Sequence, residues 1–289
     1  MDDRDWLILH TLFREKNITK AGQSLFIAQP TLTKRLKQIE TEFGVKIVDR
    51  GIKGVQFTPE GEYLAKRAEE VLNIFRGIKE DIENFNHNVS GTLRLGASNF
   101  ISKYKLPMLL KLFKNQYPDV EFQVDTGYSK DIFNSVYSQA SHIGFIRGDY
   151  SWPDQKYLLF EEDLCIASKH KVQLDDLPNL PRIDYRTDQL YKQLVENWWT
   201  EHYSQPPYIA MSVNQGDTCR EMILNGLGYA IMPSLFLHDV EDIHKIYLTD
   251  KEGNRLTQKT WMFYYKESLE LNVVQAFVSF IQGLDVYNL

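Results

Sequence analysis

Cysteine is nearly absent from this chain: Cys165 and Cys219 are the two thiols in 289 residues, and they stand far apart with no Cys-x-x-Cys neighbour. That excludes a disulfide framework and a thiolate zinc site. Long apolar runs are missing too, and no stretch approaches the ~18 residues of a membrane span. The leading Met1-Asp2-Asp3-Arg4-Asp5-Trp6 is acidic and then amphipathic, so neither a signal nor a transit peptide is read there, and a cytoplasmic location with no membrane partner is expected. No GxSxG, P-loop, HExxH or strand-linked GxGxxG occurs. The seven histidines are scattered. The nearest pairs, His238 with His244 and His170 beside Lys171, lack a carboxylate-metal pattern, and His142 opens a strand and reads as structural. No enzyme, cofactor or metal is expected.

Positive charge is also short overall, at 33 Lys and Arg against 39 Asp and Glu, a net of −6. It is concentrated. Residues 1–60 carry ten basic and eight acidic side chains, and residues 14–53 carry nine against four, so a small basic module precedes an acidic body. Such asymmetry permits nucleic-acid binding without proving it. Hydrophobic residues at 43% and charged residues at 25% are ordinary for globular domains, and the length accommodates two or three units.

Trp6, Leu9 and Phe13 at helical spacing predict a first helix over roughly 3–16. Thr19 is read as the cap of a second, short helix through Leu25. Gln29-Pro30 opens a third that runs to Phe43 and stops at Gly44. On a wheel of about 100° per residue, Leu32, Leu36, Ile39 and Phe43 form one stripe. Pro30, Lys34, Lys37 and Thr41 point away from it, with Thr31, Thr33 and Gln38 on the flanks. Ammonium groups for phosphates and hydroxyls and amides for base edges are what a major-groove helix needs, although a solvated surface face would look the same. Lys46-Ile47-Val48 and Val55-Gln56-Phe57 then read as two short strands around a basic, glycine-containing tip. Arg50 and Lys53 on that wing are candidate backbone or minor-groove contacts.

Thr58-Pro59-Glu60 is a strong helix start. Leu64, Ala68, Val71, Phe75, Ile78, Ile82 and Phe85 follow at alternating spacings of four and three. That narrow heptad seam predicts a homodimer coil, with an ordinary core helix as the competing reading. Gly77 weakens it locally, and Asn84 to Ser90 reads as a polar hinge. The expected division is 1–58 for a winged helix-turn-helix, 59–90 for linker helix and hinge, and 91–289 for a further domain.

Residues 17–61 resemble the DNA-binding domain of the LysR-type transcriptional regulator family. The matching residues are Asn17-Ile18-Thr19-Lys20-Ala21-Gly22-Gln23-Ser24-Leu25, Ala28-Gln29-Pro30-Thr31-Leu32-Thr33-Lys34-Arg35-Leu36, Ile39-Glu40, Phe43-Gly44, Arg50 and Thr58-Pro59-Glu60-Gly61. Gly22 departs from the family's usual Ala, which would loosen the second helix. Ile47-Val48 and Thr33 are milder departures. The resemblance implies Gln29, Pro30, Thr31, Thr33, Lys34 and Arg50 at double-stranded DNA. The wheel and wing add Lys37, Gln38 and Lys53. It also implies assembly as a dimer of dimers, a homotetramer, and RNA polymerase is a further candidate partner.

Residues 91–289 read as strands and helices in alternation. Strands are expected at Thr92–Ala97, Val120–Val124, His142–Ile146, Leu164–Ser168, Tyr208–Met211, Gly228–Pro233 and Trp261–Tyr265. Helices are expected at Leu106–Tyr117, Lys130–Gln139, around Trp198, Cys219–Leu224 and Val273–Leu284. This implies a mostly parallel sheet covered by helices. Resemblance to LysR effector domains extends over this region, carried best by Gly226-Leu227-Gly228-Tyr229-Ala230-Ile231-Met232-Pro233. It implies a periplasmic-binding-protein-like α/β effector domain of two subdomains, 91–164 with 268–289 and 165–267, in which the last helix returns to the first.

Ligands in open α/β sheets bind at strand carboxyl ends. That rule selects Ser98, Asn99 and Phe100, then Thr126, Tyr128 and Ser129, then Arg147, with Asn214 and Gln215 before a helix in the second half. Helix-start amides and a two-pronged Arg147 suit a small anion, with a di- or tricarboxylate as the expected effector. The competing reading has Ser98 and Ser129 capping helices and Arg147 paired with Asp149 or Asp154. His142–Gly148 and Gly127-Tyr128-Ser129 also look similar to citrate-responsive members from Gram-positive bacteria. Three alternatives stay open: a redox- or otherwise-responsive regulator of the same fold using Cys219, a solute-binding protein that binds no DNA, and a winged-helix adaptor for protein.

Overall fold

The computed structural model describes residues 1–51, 54–84 and 88–289, and the chain divides into two units, Met1–His87 and Asn88–Leu289. In the first, helix α1 spans Asp3–Glu15 and begins with a reciprocal cap: Asp2 accepts the Asp5 N–H and Asp5 accepts the Asp2 N–H. The Asp5 carboxylate is buried and also accepts from Arg35 Nε at 2.5 Å, which ties α1 to the third helix. Helix α2 covers Ile18–Ser24 and is capped by Asn17, whose Oδ1 accepts the Lys20 N–H at 3.0 Å. Thr19 therefore lies inside the helix and is not its cap. Helix α3, Gln29–Phe43, begins with Pro30 in its first turn and ends at Gly44 with φ +66°.

Leu32, Leu36 and Ile39 of α3 are buried with Ile8, Leu9 and Leu12 of α1. Phe43 departs from the expected stripe: it is exposed at the helix end, edge-on to Trp6. Strands β1 (Val48–Gly51) and β2 (Gly54–Phe57) pair antiparallel, Gly51 opposite Gly54. Gly22 meets a close approach: a Cβ there would stand 2.7 Å from the Ile27 carbonyl oxygen. The residue expected to loosen α2 thus allows the tight turn after it.

Helix α4 runs from Pro59 to Asn84. Thr58 Oγ1 accepts the Gly61 N–H at 3.0 Å, and the Thr58 N–H donates to the Ile47 carbonyl at 3.0 Å. The Ile47 oxygen would lie 2.0 Å from a Cβ on Gly61. Gly61→Ala is expected to destabilise this unit by about 1–3 kcal/mol through forced backbone displacement, read as a lower thermal midpoint. The heptad seam divides. Leu64 and Ala68 are buried in the core against α1, while Phe75, Ile78 and Ile82 are exposed and are joined by exposed Ile74. Spacing alone cannot distinguish a partner in the same chain from one in another, and for Leu64 and Ala68 the partner is α1 of the same chain. Phe85 lies outside the described residues.

The second unit contains β3 (Gly91–Ser98), α5 (Asn99–Tyr104), α6 (Leu106–Gln116), β4 (Val120–Gly127), α7 (Ser129–Tyr137) and β5 (Ile143–Arg147). The long β6 (Gln155–Ser168) leads to β7 (Arg182–Tyr185), α8 (Gln189–His202), β8 (Ile209–Val213), α9 (Gly216–Leu224), β9 (Tyr229–Pro233) and β10 (His244–Tyr247). Then β11 (Thr257–Tyr264) and α10 (Asn272–Gln282) close the chain. One sheet runs in the order β4-β3-β5-β11-β6-β9-β7-β8, with β10 beside β6.

The sheet is not mostly parallel. It is parallel at each end, in β4-β3-β5 and β9-β7-β8. Through β11 and β6 it is antiparallel. The reason is the double crossing: β6 carries the chain from one lobe to the other and β11 carries it back. From Thr260 onward β11 pairs with β5, so the return is under way before residue 268. Helix α10 then buries Val274 and Phe277 in the core that holds Leu95 and Phe113.

Candidate nucleic-acid interface and effector cleft

On α3, Gln29, Pro30, Thr31, Lys34, Lys37 and Gln38 are exposed and Thr33 is half-buried, opposite the buried Leu32, Leu36 and Ile39. Arg35 lies between the faces and is held by Asp2 and Asp5, so it orients α3 on α1. None of these outward residues is acidic, and Glu40 beside them is half-buried. Lys53 lies outside the described residues, as does the side chain of Arg50. The β1–β2 hairpin that carries them is anchored by the Val55 N–H on the Lys16 carbonyl at 3.1 Å. Glu40, whose role the sequence did not reveal, accepts the Ile47 N–H at 2.9 Å and so fixes the wing's first strand on α3.

In the second unit a cleft of about 230 Å³ opens between the lobes. Ser98, Asn99, Phe100, Tyr128, Ser129, Arg147, Asn214 and Gln215 all line it. Thr126 does not. Strand β4 extends to Gly127, so Thr126 is still paired, opposite Ala97, and exposed elsewhere. Lys103, Tyr185, Arg186, Asp188, Phe236 and Gln258 also line the cleft. The Tyr128 hydroxyl donates to the Asn214 carbonyl at 3.3 Å, linking the two lips.

Neither serine caps a helix through its side chain. Ser129 Oγ accepts the Arg147 N–H at 3.2 Å, and Ser98 Oγ is buried without a hydrogen-bond partner. Arg147 is 8% exposed and its guanidinium lies 4.1 Å from the Phe100 ring centre. It pairs with neither Asp149 nor Asp154. Its partner is Glu162, a fully buried carboxylate on β6. This corrects the free two-pronged clasp: one terminal nitrogen is engaged, while Nε is buried with no hydrogen-bond partner. The second Glu162 oxygen accepts the Leu235 N–H at 3.2 Å from the other lobe. Burial pushes the Glu162 carboxyl above its ordinary range, opposed by the Arg147 charge.

At the rim, Lys103 pairs with Asp217 at 2.7 Å and Arg186 lies 5.0 Å over the Tyr128 ring. Desolvation pushes both the Cys165 and Cys219 thiols up to about 12, and both are buried. They are protonated at neutral pH, which opposes the redox alternative.

A helix-turn-helix with a wing, followed by a two-lobed unit with a cleft between its lobes, defines a DNA-binding regulator that carries a small-molecule receptor. The profile for "Bacterial regulatory helix-turn-helix protein, lysR family" matches residues 4–62, and that for "LysR substrate binding domain" matches residues 86–285. The chain is 38% identical over 283 residues to the Uncharacterized HTH-type transcriptional regulator YraN of Bacillus subtilis (strain 168), covering 98% of each chain. It is 34% identical to YkuM of the same organism, over 96% of this chain and 95% of that one. Among solved structures, full-length CbnR complexed with its target DNA superposes with a TM-score of 0.69 at 17% identity, covering 98% of this chain and 99% of that one. The protein belongs to the LysR family: it is a DNA-binding transcriptional regulator with an effector-binding domain. Among the described residues no helix is long and apolar enough to cross a membrane.

Proposed function

We propose that operator binding by this regulator is modulated by a small anionic metabolite, a di- or tricarboxylate of citrate's kind, held in the cleft between the effector lobes. The observation that carries this reading is the pair of unspent polar atoms on one wall: Ser98 Oγ and Arg147 Nε, both buried and both without partners. Buried donors are rarely left unmade because each costs the desolvation of its group. A ligand carboxylate offers the acceptor that each of them lacks. The volume, below the roughly 300–1,000 Å³ of drug-sized pockets, suits a compact metabolite. Arg186 supplies a further cation at the mouth, where Lys103 is paired with Asp217.

Exposed Ile74, Phe75, Ile78 and Ile82 make α4 the dimer helix, and pairs of dimers present the α3 helices and wings to DNA. Ligand couples to DNA by binding one closure of the lobes more tightly than the other. Titrating the full chain with citrate and a panel of related carboxylates tests the reading, by calorimetry and thermal shift. A ligand specific to the folded state raises the melting temperature with concentration. Arg147→Ala is expected to weaken it about 10- to 150-fold, the worth of a hydrogen bond to a charged group. Unchanged affinity in that variant would remove Arg147 from the site, and silence across the panel would remove the carboxylate.

A further inference from the structure

The turn between α2 and α3 contains a residue that strains the backbone and shelters nothing. The Ile27 N–H donates to the Gly22 carbonyl at 2.8 Å and the Phe26 N–H to the Gln23 carbonyl at 3.2 Å. These two bonds close α2 in a Schellman motif, whose left-handed position normally holds glycine or asparagine. Here Phe26 holds it, at φ +55°, a conformation that a side-chain-bearing residue adopts at a cost. Its neighbours Leu25 and Ile27 are half-buried against the core. Phe26 is 98% exposed, the most exposed large apolar side chain among the described residues. A strained backbone and a bare aromatic ring both oppose folding and solubility, so neither feature is accounted for within the chain.

The ring stands three residues before Gln29, at the start of the helix whose exposed Gln29, Pro30 and Thr31 open the DNA face. Apart from Pro30, that face is polar or cationic. We propose that Phe26 is a specificity-determining residue of the DNA interface, its ring packing against the C5-methyl of a thymine at the edge of the major groove. A thymine methyl is the apolar feature that the major groove displays, and side chains read it by contact alone. The left-handed turn presents the ring outward, where a right-handed one would extend α2. The strain is then retained because it aims the ring.

The test uses the full-length protein and a duplex enriched by it from a randomised pool. Phe26→Gly and Phe26→Asn both suit the left-handed position, so each is expected to fold with a melting temperature equal to or above that of the parent. Each is expected to bind the enriched duplex at least about tenfold more weakly, the worth of burying an aromatic side chain. The slope of affinity against salt should be unchanged, since no phosphate contact is lost. Replacing thymines singly by deoxyuridine removes one methyl at a time. At one position this should weaken the parent about fourfold, the worth of one buried methyl group, and leave Phe26→Gly unaffected. Phe26→Leu should retain most of the affinity. Three results overturn the proposal: unchanged DNA affinity in Phe26→Gly, an equal response of parent and variant to every deoxyuridine, or a lower melting temperature in Phe26→Gly.

Discussion

Glu162→Ala is expected to destabilise the effector unit by about 3–5 kcal/mol, because it leaves the buried Arg147 charge without its counter-ion. Glu162 is fully buried and Arg147 nearly so, which places the pair outside the class of exposed ion pairs that contribute little. The Leu235 N–H also loses its acceptor, and this bond joins β6 to the opposite lobe. For a unit of this size, 1 kcal/mol corresponds to about 2–4 °C. A fall on the order of 10 °C in the effector-unit transition is therefore expected by calorimetry. Acetate, a small mimic of the lost carboxylate, should recover more of that fall in the variant than it adds to the parent. A Glu162→Ala protein that melts with the parent would show that Arg147 has another adequate partner.

The same carboxylate gives a pH dependence of definite sign. Burial, against the opposing Arg147 charge, holds the Glu162 carboxyl above its ordinary range in the folded state. The folded protein thus binds this proton more tightly than the unfolded chain does. The contribution of the site to stability is fully present below the ordinary glutamate range and declines as pH rises through the raised folded-state value. Glu162→Gln cannot titrate. On heating across pH 4 to 8, the melting temperature of the parent should fall relative to that of Glu162→Gln as pH rises. Parallel curves would mean that Glu162 titrates as it does in water.

Much of the architecture was legible because the sequence punctuates it. Pro30 and Gly44 mark the ends of α3, and Thr58-Pro59 marks the start of α4. Asn17 and Thr19 are both capping residues two positions apart, and the sequence could not say which one adopts the extended conformation; Asn17 does. The cleft was readable wherever a strand was. The strand-end rule placed Ser98, Tyr128 and Arg147 at its wall. It missed Arg186 and Asp188 because β7 is four residues long and holds Arg182 and Asp184, too polar and short to signal a strand. Had β7 been read, the same rule would have selected both. Thr126 was misplaced because β4 runs three residues beyond the expected Val124. Glu162 was hidden between Glu161 and Asp163. The alternation of β6, with Phe160 and Glu162 buried and Glu161 exposed, was the signal that one of these acids turns inward, and a buried acid requires a buried cation.

Ile78→Asp on α4 is expected to separate the dimer and, with it, to abolish tight operator binding. Ile74, Phe75, Ile78 and Ile82 leave an apolar stripe exposed over the last turns of a 26-residue helix, and Leu64 and Ala68, which continue the stripe, are consumed by α1. On the proposed reading self-association rests on the distal half of the helix, where few side chains share the load. Burying one such side chain contributes about 1.5–3 kcal/mol. A two-fold axis counts each change twice, so losing Ile78 removes about 3–6 kcal/mol, or roughly 150- to 25,000-fold in the dimer constant. An unpaired carboxylate at the seam adds its own desolvation cost. Sedimentation of Ile78→Asp should show monomer at concentrations where the parent is associated, with α1 to α3 still folded because Ile78 is exposed and takes no part in their core. The variant should keep weak, salt-sensitive binding from a single α3 and wing, since phosphate contacts within one unit survive. It should lose the steep advantage of engaging two half-sites together. If the variant stays associated and binds as the parent does, the dimer is formed elsewhere and the exposed half of α4 has another partner.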